Sequence, residues 1–310
     1  FRAEKDSAIF KAIGNNISAS IFSFSKIEAI SSIDSLFLID ATNLFIFDFP
    51  GINNRGKYIL DKKNSYFNEI NSFALNSELG MTFHYKGKKT GYIYTLPSST
   101  SMLHKYHISL SELSNSNYKP RLADDRVGHF TTIFQDYTNV LSSSPYVRYI
   151  NRWHLEKKNQ SSRLSRPKEP IVYWIENTVP LQFRKAIRDG ILGWNKSFEK
   201  IGFKNAVEVK QMPDDADWNP ADIRYNTIRW MIHPGSGYAV GPSRANPLTG
   251  ELYDADIRIS TDYVRFFYTE YKDIISPLID EPLMMLNETK SDNSKIHECN
   301  YSFEKKNQMA

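Results

Sequence analysis

Between residues 171 and 202 the chain carries a strand-like run followed by a helical stripe, and this pairing limits its possible folds more than any other feature. Phe183, Ile187, Ile191, Trp194, Phe198 and Ile201 recur at steps of three and four. That spacing makes one apolar face at 3.6-residue periodicity and predicts a single long helix. Thr178 and Pro180 mark its start, because proline fits a first turn where its missing N–H costs nothing. Gly202 marks its end. Gly190 and Gly193, inside the stripe, should each cost about 1 kcal/mol relative to alanine, which predicts close backbone packing on a sheet or a kink. Ile171–Ile175 ahead of the helix predicts a buried strand, and Ala206–Val209, Ile223–Met231 and Ala255–Ile259 predict further strands. Strand, long helix and three strands make a mixed sheet with a helix on one face.

The first ~140 residues have a different period. Leu36–Phe49 is dense in Phe, Ile and Leu. Met81–Tyr85 and Tyr92–Leu96 place apolar residues at every second position, with Lys86–Gly91 between them as a hairpin loop. Ser101–Leu110 alternates too, with Met102, His104, Tyr106, Ile108 and Leu110 on one face. The Ser-, Arg- and Pro-rich segment Asn159–Pro170 predicts a domain boundary. The expected fold is therefore α+β, with a mainly antiparallel β domain over 1–165 and a mixed-sheet domain over 166–310.

Composition excludes several classes. With 41% hydrophobic and 14% aromatic residues the chain has material for a core, so it is not disordered throughout. No 18 consecutive apolar residues occur, so no membrane-spanning helix is expected. The net charge of +4 divides into +7 over residues 1–170 and −3 over 171–310. The positive charges are scattered, without a basic stripe interleaved with aromatics, and nucleic acid is not an expected partner. A single cysteine, Cys299, excludes an internal disulfide. The chain opens on Phe1 with no signal-peptide layout, and both ends are expected to be cut from something longer.

No complete catalytic constellation is visible. G-x-S-x-G, the phosphate loop and G-x-G-x-x-G are absent from the sequence. No two of the seven histidines are four apart, the spacing that puts both imidazoles on one helix face for zinc. His104 and His107 are three apart in a strand and point to opposite faces. His297-Glu298 begins H-E-x-x-H, but position 301 is Tyr. Asp214, Asp215 and Asp217 predict a solvated acidic turn, since calcium-loop spacing is missing. Asp124-Asp125 between Arg121 and Arg126 predicts a local ion-pair knot.

Two segments carry a resemblance. Pro120–Phe130 with Asp136-Tyr137, and then Arg148–Glu156, resemble the N-terminal region of large bacterial zinc-dependent metalloproteases, which are metzincin-like enzymes. Pro170–Ile175, Val179-Pro180, Trp194-Asn195-Lys196, Gly202–Ala206, Asp222–Trp230 and Gly241-Pro242-Ser243 resemble the opening of that family's catalytic domain, in order. Asn246–Glu251 is similar to its Asp-Pro-x-Thr-Gly-Glu turn, with Asn in place of Asp.

The resemblance implies the upper half of a metzincin-like catalytic domain, with an edge strand that pairs with an extended peptide or protein substrate. By order, Gly237, Tyr238, Ala239, Val240 and Gly241 are that edge, with Tyr238 and Val240 on one face and Ala239 and Gly241 on the other. It also implies a zinc peptidase and export from a bacterial cell. The zinc motif H-E-x-x-H-x-x-G-x-x-H does not occur before Ala310, so no metal ligand or catalytic residue is assigned, and no cofactor is expected in this chain itself. The expectation is a portion of a zinc metalloendopeptidase that is inactive alone. The alternative is a non-catalytic binding or inhibitory module derived from one.

Overall fold

A computed structural model describes residues 1–5, 7–52, 57–88, 90–94, 96–113, 116–233 and 237–276. The Pro234-Gly235 turn, the polar stretch Asn287–Lys295, His297-Glu298 and Cys299 lie outside the described residues. The chain divides into two compact units, Phe1–Asn115 with Ile133–Arg148, and Ser116–Thr132 with Tyr149–Ala310. The expected boundary at 165/166 falls inside the second of these. The described residues combine helices with antiparallel and mixed sheets, an α+β class.

The first unit starts with α1 (Ala8–Asn16), whose N-cap Ser7 accepts from the Phe10 N–H at 3.0 Å. A small hairpin follows, β1 (Ile27–Ile30) with β2 (Phe37–Ile39), and then α2 (Thr42–Phe45). The apolar run Leu36–Phe49 therefore yields a three-residue strand and a helical turn. The body of the unit is β3 (Tyr58–Leu60), β4 (Tyr66–Ser72), β5 (Asn76–Gly87) and β6 (Ser101–Ser111). β5 pairs antiparallel with β6 along nearly its whole length, and its other edge takes β4 and then β3.

The partner of Met81–Tyr85 is thus β6, and among the described residues of the expected strand Tyr92–Leu96 none is in a strand. Tyr92 and Tyr94 lie in the connecting loop with their rings almost fully exposed. Alternation over those few residues is too short to outweigh the longer register available to Ser101–Ser111. Met81, Phe83, Tyr85 and Ile46 form the core, with Met102, Tyr106 and Ile108 of β6 packed on it. His104 stacks on Tyr106 on this apolar face, whereas His107 on the opposite face holds the buried Glu78 together with Ser109 and Asn76. The chain passes between the units along the paired strands β7 (Thr131–Gln135) and β8 (Tyr146–Ile150).

In the second unit, β9 (Ile171–Ile175) leads into α3 (Leu181–Leu192) and α4 (Asn195–Lys200). Pro180 is the N-cap of α3 rather than its first residue. The single long helix of the sequence reading is interrupted at Gly193-Trp194. Gly193 is the residue at the break, while a side chain at Gly190 would meet open space, so close packing does not explain Gly190. Ile187, Ile191 and Leu192 pack against Ile175, Val179, Val209 and Ile228, but Trp194 and Ile201 beyond the break are exposed.

Gly202 ends α4 as expected. Its φ of +92° allows Phe203 N–H to reach Phe198 C=O at 2.9 Å and its own N–H to reach Glu199 C=O at 3.0 Å, a Schellman closure.

The remaining strands are β10 (Val207–Gln211), β11 (Asn226–Met231), β12 (Ala239–Val240), β13 (Ser243–Ala245), β14 (Leu252–Ala255) and β15 (Ile257–Ser260). The chain then enters α5 (Thr261–Glu270) and a π-helical turn, Tyr271–Ile275. Five strands make one sheet in the order β10-β9-β11-β15-β12, while β13 and β14 pair separately. No described helix is long and apolar enough to cross a membrane.

Asp124 and Arg126 pair at 2.6 Å, the expected knot, and Asp214, Asp215 and Asp217 are exposed. Asp222 is different: it is buried, and Arg224 clamps its carboxylate at 2.5–3.0 Å. Burial pushes its carboxyl upward, but the bonds from Arg224 outweigh that and leave it below the usual carboxylate range. A depressed folded value stabilises the protein above the unfolded value, about pH 3.9, and the benefit is lost as pH falls through the lower folded value. Asp222→Asn should therefore flatten the acid limb of the stability–pH curve below about pH 4, read by urea titration at several pH values. An unchanged acid limb would count against this assignment.

Candidate functional site

β12 closes one end of the five-stranded sheet. The pairings β9–β10, β9–β11 and β11–β15 are all parallel, and β12 alone runs antiparallel, against β15. The chain reaches this position through Gly237, where an added Cβ would lie 2.9 Å from Asp262 O. Only glycine lets the backbone pass so close to the first turn of α5.

Both ends of the edge are tied down. Ser260 N–H donates to Tyr238 O at 3.1 Å, and Tyr238 N–H donates to Ser260 Oγ at 3.1 Å. The same hydroxyl caps α5 by accepting from Tyr263 N–H at 3.1 Å. Farther along, Asp256 N–H donates to Pro242 O at 3.0 Å.

In an antiparallel ladder, alternate residues direct their N–H and C=O groups toward the neighbour. Tyr238, Val240 and Pro242 face β15 in this way, so the backbone groups of Ala239 and Gly241 point outward. Side chains alternate between the sheet faces, with Tyr238 and Val240 on one and Ala239 on the other. Tyr238 and Val240 are 38% and 42% exposed, and the Tyr238 ring meets His233 edge-on at 5.6 Å between centroids. All five residues singled out in the sequence, Gly237–Gly241, lie together at this edge.

Behind the edge the sheet is held by buried polar bonds that local sequence does not announce. The Asp256 carboxylate accepts from Thr227 N–H at 2.9 Å and Thr227 Oγ1 at 2.8 Å, and both residues are buried. Burial, with the charges of Asp254 and Asp256 adding to it, pushes the Tyr173 hydroxyl up to about 12. Trp230 stacks on Phe183 at 5.1 Å and donates its indole N–H to Thr261 Oγ1 at 2.7 Å. Arg229 pairs with Glu176 at 3.1 Å. Asp256 and Thr227 were missed because they are 29 residues apart and meet only through the β11–β15 pairing. Ser260 was more legible, as a Ser-Thr-Asp start to α5.

Chemically, the edge offers main-chain donors and acceptors to an extended chain. Among the described residues no group of three or more His, Cys, Asp or Glu is gathered as a metal ion requires. The zinc that the resemblance implies thus has no fitting ligand set there.

Comparison with curated proteins finds no match, and comparison with solved structures finds none. Residues 1–158 match a family model described as a domain of unknown function, DUF5117. That match spans just over half of the sequence, and the chain belongs to the DUF5117 family.

Proposed function

We propose that the second unit is the substrate-docking part of a zinc-dependent endopeptidase, in which an extended peptide adds as a further strand beside β12. The observation that carries this reading is an exposed antiparallel edge strand on an otherwise parallel sheet, at the position the resemblance assigns to the peptide-pairing edge. Strand addition draws affinity from main-chain hydrogen bonds and makes little demand on peptide sequence. The ordered motifs over 120–260 support the peptidase part of the reading. Bound zinc would supply an activated water and a Lewis acid. No ligand for it is assigned in this chain, so no hydrolytic step is derived through it.

The test compares this chain with the product of its complete open reading frame. Zinc content is measured by mass spectrometry, and cleavage of a fluorogenic peptide is followed with and without chelator. Stoichiometric zinc and chelator-sensitive cleavage in the complete product are expected. A complete product that binds peptide but holds no zinc and cleaves nothing would replace the peptidase with a binding module.

A further inference from the structure

The second unit also contains a cavity of about 460 Å³, none of whose lining residues belongs to β12. The turn Asn246–Glu251 brings one residue, Glu251, to its polar lining. Asn246 O accepts from Gly250 N–H at 2.8 Å, and Gly250 has φ +78°. An added Cβ there would lie 2.7 Å from Ile150 O, so glycine is needed to bring the next residue into place. That residue is Glu251, with a side chain only 8% exposed. Its carboxylate accepts from Ser116 Oγ at 2.6 Å and meets His154 Nδ1 at 3.1 Å. The serine donates to the carboxylate rather than to the histidine, so this is not a nucleophile–base pair.

The bond to Glu251 places the proton of a neutral His154 on Nδ1 and leaves Nε2 an acceptor. Nε2 faces Glu156 Oε1 at 3.8 Å, beyond hydrogen-bond distance. Glu156 is anionic at neutral pH, since the Lys168 ammonium, 2.6 Å from its other oxygen, holds its carboxyl below the usual range. With the ring neutral, Nε2 and Glu156 Oε1, which also accepts from Asn117 Nδ2 at 3.5 Å, face each other as acceptors with room for a donor between them.

The separation fits a donor with two N–H or O–H bonds, and the charge of Glu156 favours a cationic one. One nitrogen at about 2.8 Å from both atoms subtends roughly 85°, which two N–H bonds of a single ammonium can span. A metal ion at about 2.1 Å from both would subtend roughly 130°, wider than tetrahedral geometry allows. Trp153, Pro170 and Leu252 supply apolar lining to the same cavity.

We infer that this cavity binds a primary ammonium group on an apolar stem, held between His154 Nε2 and the Glu156 carboxylate. The ammonium belongs either to a free alkylamine or to a lysine side chain of a polypeptide. This inference does not depend on the peptide-docking reading of β12.

The test is a titration of the full chain with n-pentylamine, n-pentanol and Nα-acetyl-lysine amide, following the His154 imidazole nitrogens by NMR. Pentylamine should shift the Nε2 resonance saturably, and pentanol should not. Glu156→Gln, at a partly exposed position, should weaken amine binding at least tenfold while leaving the circular dichroism spectrum unchanged. Binding of acetyl-lysine amide as well as pentylamine assigns the site to a polypeptide lysine, and binding of pentylamine alone assigns it to a free amine. The inference is overturned if no amine shifts Nε2, if pentanol matches pentylamine, or if folded Glu156→Gln binds as tightly as the wild type.

Discussion

Ala239→Pro should weaken binding of an extended peptide by about ten- to a hundredfold and leave the fold intact. Proline deletes an N–H that points away from β15, so no bond of the existing sheet is lost. An incoming strand would lose a donor and leave its own carbonyl unpaired, a cost of about 1–3 kcal/mol. Val240→Pro is the matched control. Its N–H faces β15, so proline there should lower thermal stability as well as binding. Fluorescence anisotropy with a labelled, proline-free decapeptide, beside thermal melts of both variants, separates the two effects. A well-folded Ala239→Pro protein with wild-type peptide affinity would remove β12 as the docking edge.

The second large effect concerns stability. Asp256→Ala should destabilise the second unit by about 3 kcal/mol, because it leaves the Thr227 N–H and hydroxyl buried without their acceptor. For a unit of this size that corresponds to a fall in Tm of roughly 6–12 °C. Asp256→Asn keeps an acceptor oxygen in the same place and should cost well under half as much. Calorimetry on the two variants reads the difference, and equal losses would show that the carboxylate's bonds to Thr227 are not what holds this part of the sheet.

The parts of the fold legible in the sequence were those with a local signature. The strand Ile171–Ile175, the stripe through Phe183, Ile187 and Ile191, the stop at Gly202 and the alternation in Ser101–Leu110 each depend on neighbours a few residues away. The errors have separate causes. Tyr92–Leu96 alternates as well as a short strand does, but the longer β6 takes the free edge of β5. The apolar stripe runs on through Trp194 and Ile201, yet the backbone breaks at Gly193 and leaves both exposed.

The β12 edge is located in the sequence by order along a resemblance, and its position at the end of the sheet follows from topology that no local period encodes. The residues that secure it, Asp256 and Thr227, and the meeting of His154 with Glu251 across 97 positions, depend on which strands become neighbours. Spacing rules for metal and catalytic motifs do not reach that far.

The second unit is threaded in two passes, and this bears on where the protein can be cut. The matched family region ends at residue 158, but Ser116–Thr132 and the residues from Tyr149 onward are packed in the later unit. A recombinant piece ending at 158 would carry Ser116 and His154 without Glu251, and Arg152 without the Gly250 carbonyl that its N–H meets at 3.0 Å. Those strips would be left without their hydrogen-bonding partners. The stretch that defines the family is therefore not one compact unit, and an expression boundary drawn from sequence similarity would divide the second unit between two polypeptides.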